Sequence, residues 1–237
     1  MKAIIIVPTF NEKENIYRLI PAIFSLSIPD DIQLELIVVD DNSPDGTAEI
    51  VEEMIKEYPI YLIRRRRKMG LGSAYITGFK KALSVEADFI FEMDADFSHD
   101  PQDIPRLLEA AREANLVIGS RRIKGGKIVG WNLWRKFMST GAMIFSRLCL
   151  GLKTKDVTAG FRVFQRKVLE TIPLDEVKSN GYAFQEEMLY RTQKLGFKIK
   201  EVPVTFTDRR AGCSKLSRKD IVEFFIVMLQ LRLKKID

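Results

Sequence analysis

The stretch ADFIFEMDADFSHDPQDIPRLLEAAREA, residues 87–114, decides how the chain is read. It opens on an apolar-rich run, ADFIFEMD (87–94), short enough to be a buried strand. It closes on PQDIPRLLEAAREA (101–114), whose apolar residues recur at helical spacing. Between the two, Asp94 and Asp96 stand one residue apart where the strand ends. Asp closes turns and caps helices, so Asp-Ala-Asp alone is explained by a turn into the next helix. Two carboxylates at the mouth of a buried strand nevertheless repel, and something must compensate them.

Outward from this stretch the same alternation repeats. AIIIVP (3–8) reads as a strand ended by Pro8, and NEKENIYRLIPAIFSL (11–26) as a helix with Asn11 as its cap. LELIVVD (34–40), SPDGTAEIVEEMIKEY (43–58), IYLIR (60–64), GSAYITGFKKAL (72–83) and LVIGS (116–120) continue it as strand, helix, strand, helix and, beyond residues 87–114, a fifth strand. The rhythm predicts an α/β fold with a mostly parallel central sheet and helices on both faces. The second half is less regular, but it holds no repeat and no low-complexity linker, so the chain reads as a single domain.

The composition, 46% hydrophobic and 30% charged over 237 residues, is that of a folded chain. A net charge of +6 points to anionic partners: nucleic acid, nucleotides or acidic lipid headgroups. Two cysteines make no disulfide framework and suggest a reducing compartment. MKAIIIVPTFNEKEN is not a secretory leader, because its apolar run is short and leads into charge. No segment reaches the roughly 18 apolar residues of a membrane span. The nearest, IVEFFIVMLQLRL (221–233), contains Glu223, Gln230 and Arg232 and reads as a core helix or an amphipathic one.

Parallel sheets bind ligands beyond the carboxyl ends of their strands. Glu12, Asp40, Asp41, Asp45, Asp94 and Asp96 all follow such ends here. A hard divalent cation that also carries a nucleotide diphosphate would offset Asp94 and Asp96. From Gly119 to Lys155 there are nine Lys or Arg and no Asp or Glu, the composition of an anion site. The run RRRRK (64–68) is expected to be a solvated loop, and GLGSAY (70–75) lacks the third glycine of a dinucleotide loop, Tyr75 standing in its place. His99, the one histidine, is not assigned as a metal ligand.

The segments VPTFNEKENI, VVDDNSPDGT, MDADFSHDP, IGSRRIKGG, WRKFMSTGA, TAGFRVFQRKVL, GYAFQEEML and EVPVTFTDRRAGCSKL, in this order, resemble the family 2 glycosyltransferases. Within these the chain is similar, over about residues 3–232, to the dolichol-phosphate mannosyltransferases. The resemblance implies a GT-A fold, taken over residues 1–217, and the apolar stripe with basic ends that follows reads as an amphipathic helix at 218–237. It implies transfer of mannose from GDP-mannose to a dolichyl or other polyprenyl phosphate, with inversion, on the cytoplasmic side of a membrane. It places Pro8, Phe10, Glu12, Val39, Asp41 and Ala95 around the donor, and Asp94 and Asp96 on Mg²⁺ or Mn²⁺. Phe10 stands where the family commonly has tyrosine, and Ser98 where some relatives place a glutamine ligand. Arg121 falls on the donor side, Arg135 and Ser139 on the acceptor phosphate, and Arg209 and Lys215 in a mobile clamp over the donor phosphates. Asp94, Asp96, Arg121 and Arg209 are thereby the catalytic set.

A catalytically dead scaffold is opposed by the intact acid pair and arginines, and two other readings compete. One is another sugar on the same lipid, such as glucose from UDP-glucose. The other is a nucleic-acid-binding protein that stacks bases on Trp131, Trp134, Phe137 and Phe145 among the cations, which leaves the acidic rim unexplained. A lipid phosphate is already an anion near neutral pH, so the reaction needs no general base on the acceptor. Residues 218–235 are expected to lie at a membrane surface, to dock the spanning helices of a small partner, or to cover the chain's own sheet.

Overall fold

Five consecutive apolar residues, Ala3 to Val7, draw the first strand into the middle of the molecule, where all five are fully buried. A strand buried on both faces needs such a continuous run. The computed structural model describes residues 1–208 and 218–233. The first half runs β1 (Lys2–Thr9), α1 (Lys13–Phe24), β2 (Gln33–Asp40), α2 (Thr47–Met54), β3 (Ile60–Arg64), α3 (Leu71–Ser84), β4 (Phe89–Glu92), α4 (Ile104–Ala111) and β5 (Leu116–Ser120). The second runs β6 (Lys127–Val129), α5 (Leu133–Leu150), β7 (Arg162–Gln165), α6 (Arg166–Thr171), α7 (Gly181–Lys194), β8 (Ile199–Pro203), β9 (Thr205–Thr207) and α8 (Arg218–Leu233).

Seven strands form one sheet in the order β3-β2-β1-β4-β7-β5-β8. All its pairings are parallel except those of β7, which lies antiparallel between β4 and β5. β6 and β9 form a separate two-stranded parallel ribbon. Side chains alternate across the sheet: Ile4, Ile6, Ile37 and Val39 join one core with residues of α3, α5, α7 and α8. Ala3, Ile5, Val7, Leu36 and Val38 join a second with residues of α1, α2 and α4. The expected α/β fold with helices on both faces is the one observed.

Helix α3 lies so close to β1 that a Cβ on Gly78 would meet the Ile6 side chain at 2.5 Å. Phe79, fully buried beside it, packs edge-on to Phe164 of β7. Helix α8 contributes Met228 and Leu231 to the first core, against Met143 and Leu150 of α5. Its Phe225, Ile226, Leu229 and Leu233 are exposed.

Element ends differ from the sequence reading for local reasons. Asn11 takes a left-handed backbone (φ 60°) outside α1 instead of capping it. Helix α2 starts four residues later than its polar run, because the Asp45 carboxylate accepts from both the N–H and the hydroxyl of Thr47 and so fixes the first turn. β4 stops at Glu92, so Asp94 and Asp96 sit in the loop beyond the sheet.

Candidate active site

The rim at the carboxyl ends of β1, β2, β4 and β5 carries the expected residues, and the way its six acids are used sorts them. Asp40 accepts from the hydroxyl of Thr9 and from the N–H of Ser43, which closes the turn after β2. Asp45 accepts from Lys13 N–H as well as from Thr47 and ties α1 to α2. Glu12 accepts from the Asn15 amide (2.6 Å). Asp41 is buried, paired with Arg65 and bonded to the Met69 N–H (3.1 Å). The expectation of a solvated loop at 64–68 is therefore corrected at Arg65, which is buried and also reaches Ser73 and the Gly70 carbonyl. Arg66 and Arg67 are exposed as expected. The same loop places the Lys68 ammonium 4.1 Å from the centre of the Phe10 ring.

Of the donor-side positions, Pro8 and Phe10 are half-buried at the rim. Val39 points its side chain into the core, so it offers a ligand only main-chain atoms. Ala95 is buried too and turns away while its neighbours Asp94 and Asp96 stay partly open. Asp94 receives the Tyr75 hydroxyl at 3.4 Å, and its own N–H donates to His99 Nδ1 at 3.2 Å. Asp96 accepts from the Ser98 N–H at 3.0 Å. Ser98 Oγ is buried with no hydrogen-bond partner.

These groups suit a hard divalent ion. The donors are carboxylate and hydroxyl oxygens, and the orphaned Ser98 Oγ adds an oxygen in need of a partner. Among the described residues no cluster of three or more His, Cys, Asp or Glu forms a closed cage, so an ion on the acid pair would complete its shell with water and ligand oxygens. His99 spends Nδ1 on the Asp94 N–H and is packed flat on Phe161 (5.0 Å) with Phe206 at its edge. Burial lowers its pKa, although Asp94 and Asp96 pull the other way.

Arginines from the loop after β5 and from α5 gather beside Trp131. Arg121 donates to Asp156 through Nε (2.8 Å) and a terminal nitrogen (2.6 Å), and to the Thr158 hydroxyl. Burial works against charge on Asp156, yet the bonds and charge of Arg121 outweigh it and lower its pKa. Arg121 also faces the rings of Phe206 and Trp131, and Arg135 lies 4.4 Å from the centre of the same indole. Trp131 thus neighbours both guanidinium groups. Ser139, one helical turn after Arg135, accepts from Arg122 at 3.3 Å, and Arg135 pairs with Asp208 at 2.7 Å. Arg209 and Lys215 lie outside the described residues.

Beneath the acid pair lies a polar layer that sequence reading missed. Glu92 pairs in register with Arg162 across β4 and β7, both fully buried. Arg162 donates to the carbonyls of Val157, Ala159 and Gln185. Burial lifts Glu92 to a pKa of about 7 against the pull of Arg162. It lifts Glu186 to about 8 despite the nearby Ser146 hydroxyl and Arg162. The signal available in the sequence was a charged residue inside an apolar strand, Glu92 in FIFEM.

Comparison with known proteins agrees with this geometry. The family described as Glycosyl transferase family 2 matches residues 4–173. An undecaprenyl-phosphate mannosyltransferase of Micrococcus luteus is 44% identical over 92% of this chain and 88% of its own length. A polyprenol monophosphomannose synthase of Mycolicibacterium smegmatis is 40% identical over 94% of this chain and 83% of its own. Among solved structures, glucosyl-3-phosphoglycerate synthase of Mycobacterium tuberculosis, bound to Mn²⁺, UDP and phosphoglyceric acid, shares the fold with a TM-score of 0.72 at 18% identity, covering 99% of this chain and 79% of that one. A mannosyltransferase of Pyrobaculum calidifontis in complex with GDP-Man and Mn²⁺ does so with a TM-score of 0.59 at 19% identity, over 90% of this chain and 58% of that one. An acid pair past β4, an arginine cluster after β5 and a match across most of the chain together place this protein in glycosyl transferase family 2.

Proposed function

We propose that the protein transfers mannose, with inversion, from GDP-mannose to a polyprenyl phosphate at a membrane surface. One observation carries the acceptor. On α5, Arg135 and Ser139 share a face at a spacing of four residues, and Leu133, Trp134, Phe137 and Met138 of the same turns are exposed on the rest of the helix. A cation on one face of a helix whose other face is exposed and apolar fits a ligand with an anionic head and a hydrocarbon tail. The two relatives at 44% and 40% identity, which by name act on undecaprenyl phosphate and polyprenol monophosphate, support the same reading.

Asp94 and Asp96 would hold Mg²⁺ or Mn²⁺, with Ser98 Oγ beside them. When bound, such an ion offsets the charge that develops on a diphosphate leaving group. Phe10, with Lys68 over its ring, Glu12 and the main chain at Val39 and Asp41 would line the nucleoside. Arg121 is held rigid by its two bonds to Asp156, so any donor atom it meets finds a preoriented guanidinium. Preorganised charge of this kind commonly does more for the rate than any other single effect. The acceptor phosphate brings its own negative oxygen as nucleophile. The fully buried Glu92 and Glu186 have no route to it as bases.

The exposed side of α5 continues through Ile144 and Leu148 to the exposed residues of α8, beside Lys136 and Arg147. Among the described residues no helix is long and apolar enough to cross a membrane. We assign this face, with the exposed Phe225, Ile226, Leu229 and Leu233 of α8, to contact with a lipid surface, where apolar area and basic residues bind together.

The test is a donor screen. Purified protein receives labelled GDP-mannose, UDP-glucose or UDP-GlcNAc with a polyprenyl phosphate and Mg²⁺ or Mn²⁺, and the organic phase is counted. Label entering it from GDP-mannose alone, and lost on chelation, is the expected result. Transfer from UDP-glucose instead would replace the sugar and keep the acceptor.

A further inference from the structure

The carboxylate on Arg135 is unusual in its source. The segment from Gly119 to Lys155 holds no acid, so the counter-charge is brought in by Asp208, 73 positions further along the chain. Asp208 is held by its backbone: its N–H donates to Val129 O at 3.0 Å, continuing the β6–β9 ribbon. It also lies so near Gly130 that a Cβ there would meet the Asp208 Cβ at 2.8 Å. The carboxylate is therefore a fixed anion aimed at Arg135. The guanidinium in turn has one face on Trp131 and one terminal nitrogen on Asp208. A phosphate is gripped best by two parallel N–H groups of one guanidinium edge. With Nη1 engaged, an arriving phosphate finds the Nη1–Nη2 edge taken, is left the Nε–Nη2 edge, and meets a like charge beside it.

The geometry points to Asp208 as a resident competitor that the acceptor phosphate must displace from Arg135, and that reclaims Arg135 after transfer. This rests on the reading of Arg135 as the acceptor site. In the reaction an acceptor oxygen forms a bond to the anomeric carbon while that carbon's bond to the donor diphosphate breaks. The electron pair leaves with the diphosphate, and no proton moves. The acceptor changes from a phosphomonoester, carrying about −1.5 to −2 near neutral pH, to a diester carrying one charge. Its hold on Arg135 weakens, whereas the charge on Asp208 is unchanged. The competitor thus costs the monoester some affinity and helps expel the diester.

The experiment measures binding of farnesyl phosphate, of its methyl diester and of uncharged farnesol by calorimetry, on the full chain and on Asp208→Asn and Arg135→Ala. A half-buried ion pair of this kind, still open to solvent, implies that Asp208→Asn tightens both phosphates by about two- to fivefold. Farnesol binding should stay unchanged, and inhibition by product should strengthen. Weaker phosphate binding in Asp208→Asn would make Asp208 a support of Arg135 and overturn the proposal, as would equal shifts for phosphate and farnesol. Arg135→Ala separates the two levels. If it weakens phosphate binding while Asp208→Asn changes nothing, only the competitor fails. If Arg135→Ala binds the phosphates normally, the acceptor site and the competitor fail together.

Discussion

Arg121 and Asp156 meet through two guanidinium bonds of 2.8 and 2.6 Å, with the carboxylate wholly out of solvent. Asp156 also takes the Arg121 N–H (2.8 Å), so a single carboxylate sets both the backbone and the side chain of the residue. Breaking one half of a buried pair strands the other charge, at a cost of about 3–5 kcal/mol. Asp156→Ala should destabilise by that order in urea titration. The folded pKa of Asp156 is depressed, so its contribution is present above the unfolded value of about 3.9 and is lost as pH falls through the folded one. The wild type and Asp156→Asn should accordingly converge in stability only in strong acid.

Asp96 stands half-buried at the rim, outside both apolar cores. Asp96→Ala should keep the thermal midpoint within a few degrees and lower kcat at least about 10²-fold, the scale on which removal of one electrostatic stabiliser is felt. Chelation should silence the wild type, and Mg²⁺ or Mn²⁺ should restore it. Near-normal turnover of Asp96→Ala in Mg²⁺ would remove the acid pair from the mechanism.

Glu186 and Glu92 carry the opposite sign of pH dependence. Their folded pKa values, about 8 and about 7, lie above the unfolded carboxylate value of about 4.3. The native state holds protons that the unfolded chain has released, so this stability is full below about pH 4.3 and drains as pH rises to about 8. The urea midpoint of the wild type should fall between pH 5 and 8.5. Glu186→Gln should flatten that slope, and an unaltered slope would mean that Glu186 is ionised in the fold.

The lipid-facing assignment is checked by flotation on vesicles containing anionic lipid. Replacing Trp134 and Phe137, both 70% exposed, by serine should release the protein from vesicles without loss of stability. Cutting the chain after residue 217 is the poorer test, because Met228 and Leu231 belong to the core and their loss uncovers it.

Packing against α3 gives a further check. Phe79→Ala removes a ring enclosed by Tyr75, Phe164 and Phe184 and should cost about 3–5 kcal/mol. Thermal unfolding of that variant, compared with an exposed control such as Met69→Ala, measures it.

What could be read from the sequence follows from where each signal lies. IYLIR and LVIGS became β3 and β5 at their expected limits, because a short apolar run between turn residues states its own ends. RVFQ gave no such signal: Arg162 opens a strand whose neighbours, β4 and β5, are far away in sequence. The same distance hid the charge pairing. Arg65 read as solvated because its partner Asp41 lies 24 positions upstream, and the basic segment read as open because Asp156 and Asp208 come from outside it. Asp94, Asp96, Arg121 and Arg135 were named from motif and resemblance, whereas Tyr75, Trp131 and Asp156 needed the folded chain to bring them alongside.

The place of β7 in the sheet has a consequence for synthesis. A growing chain that has emerged through Ser120 has made five strands but can pair only four of them, since β5 hydrogen-bonds to β7 and β8, both still to come. Until Gln165 is free, β4 and β5 present bare edges to whatever strand they meet first. The N-terminal half is thus a template waiting for a four-residue wedge. A ribosome that stalls between the two would expose two sticky edges at once, and the chain's greatest risk of aggregation falls in that interval.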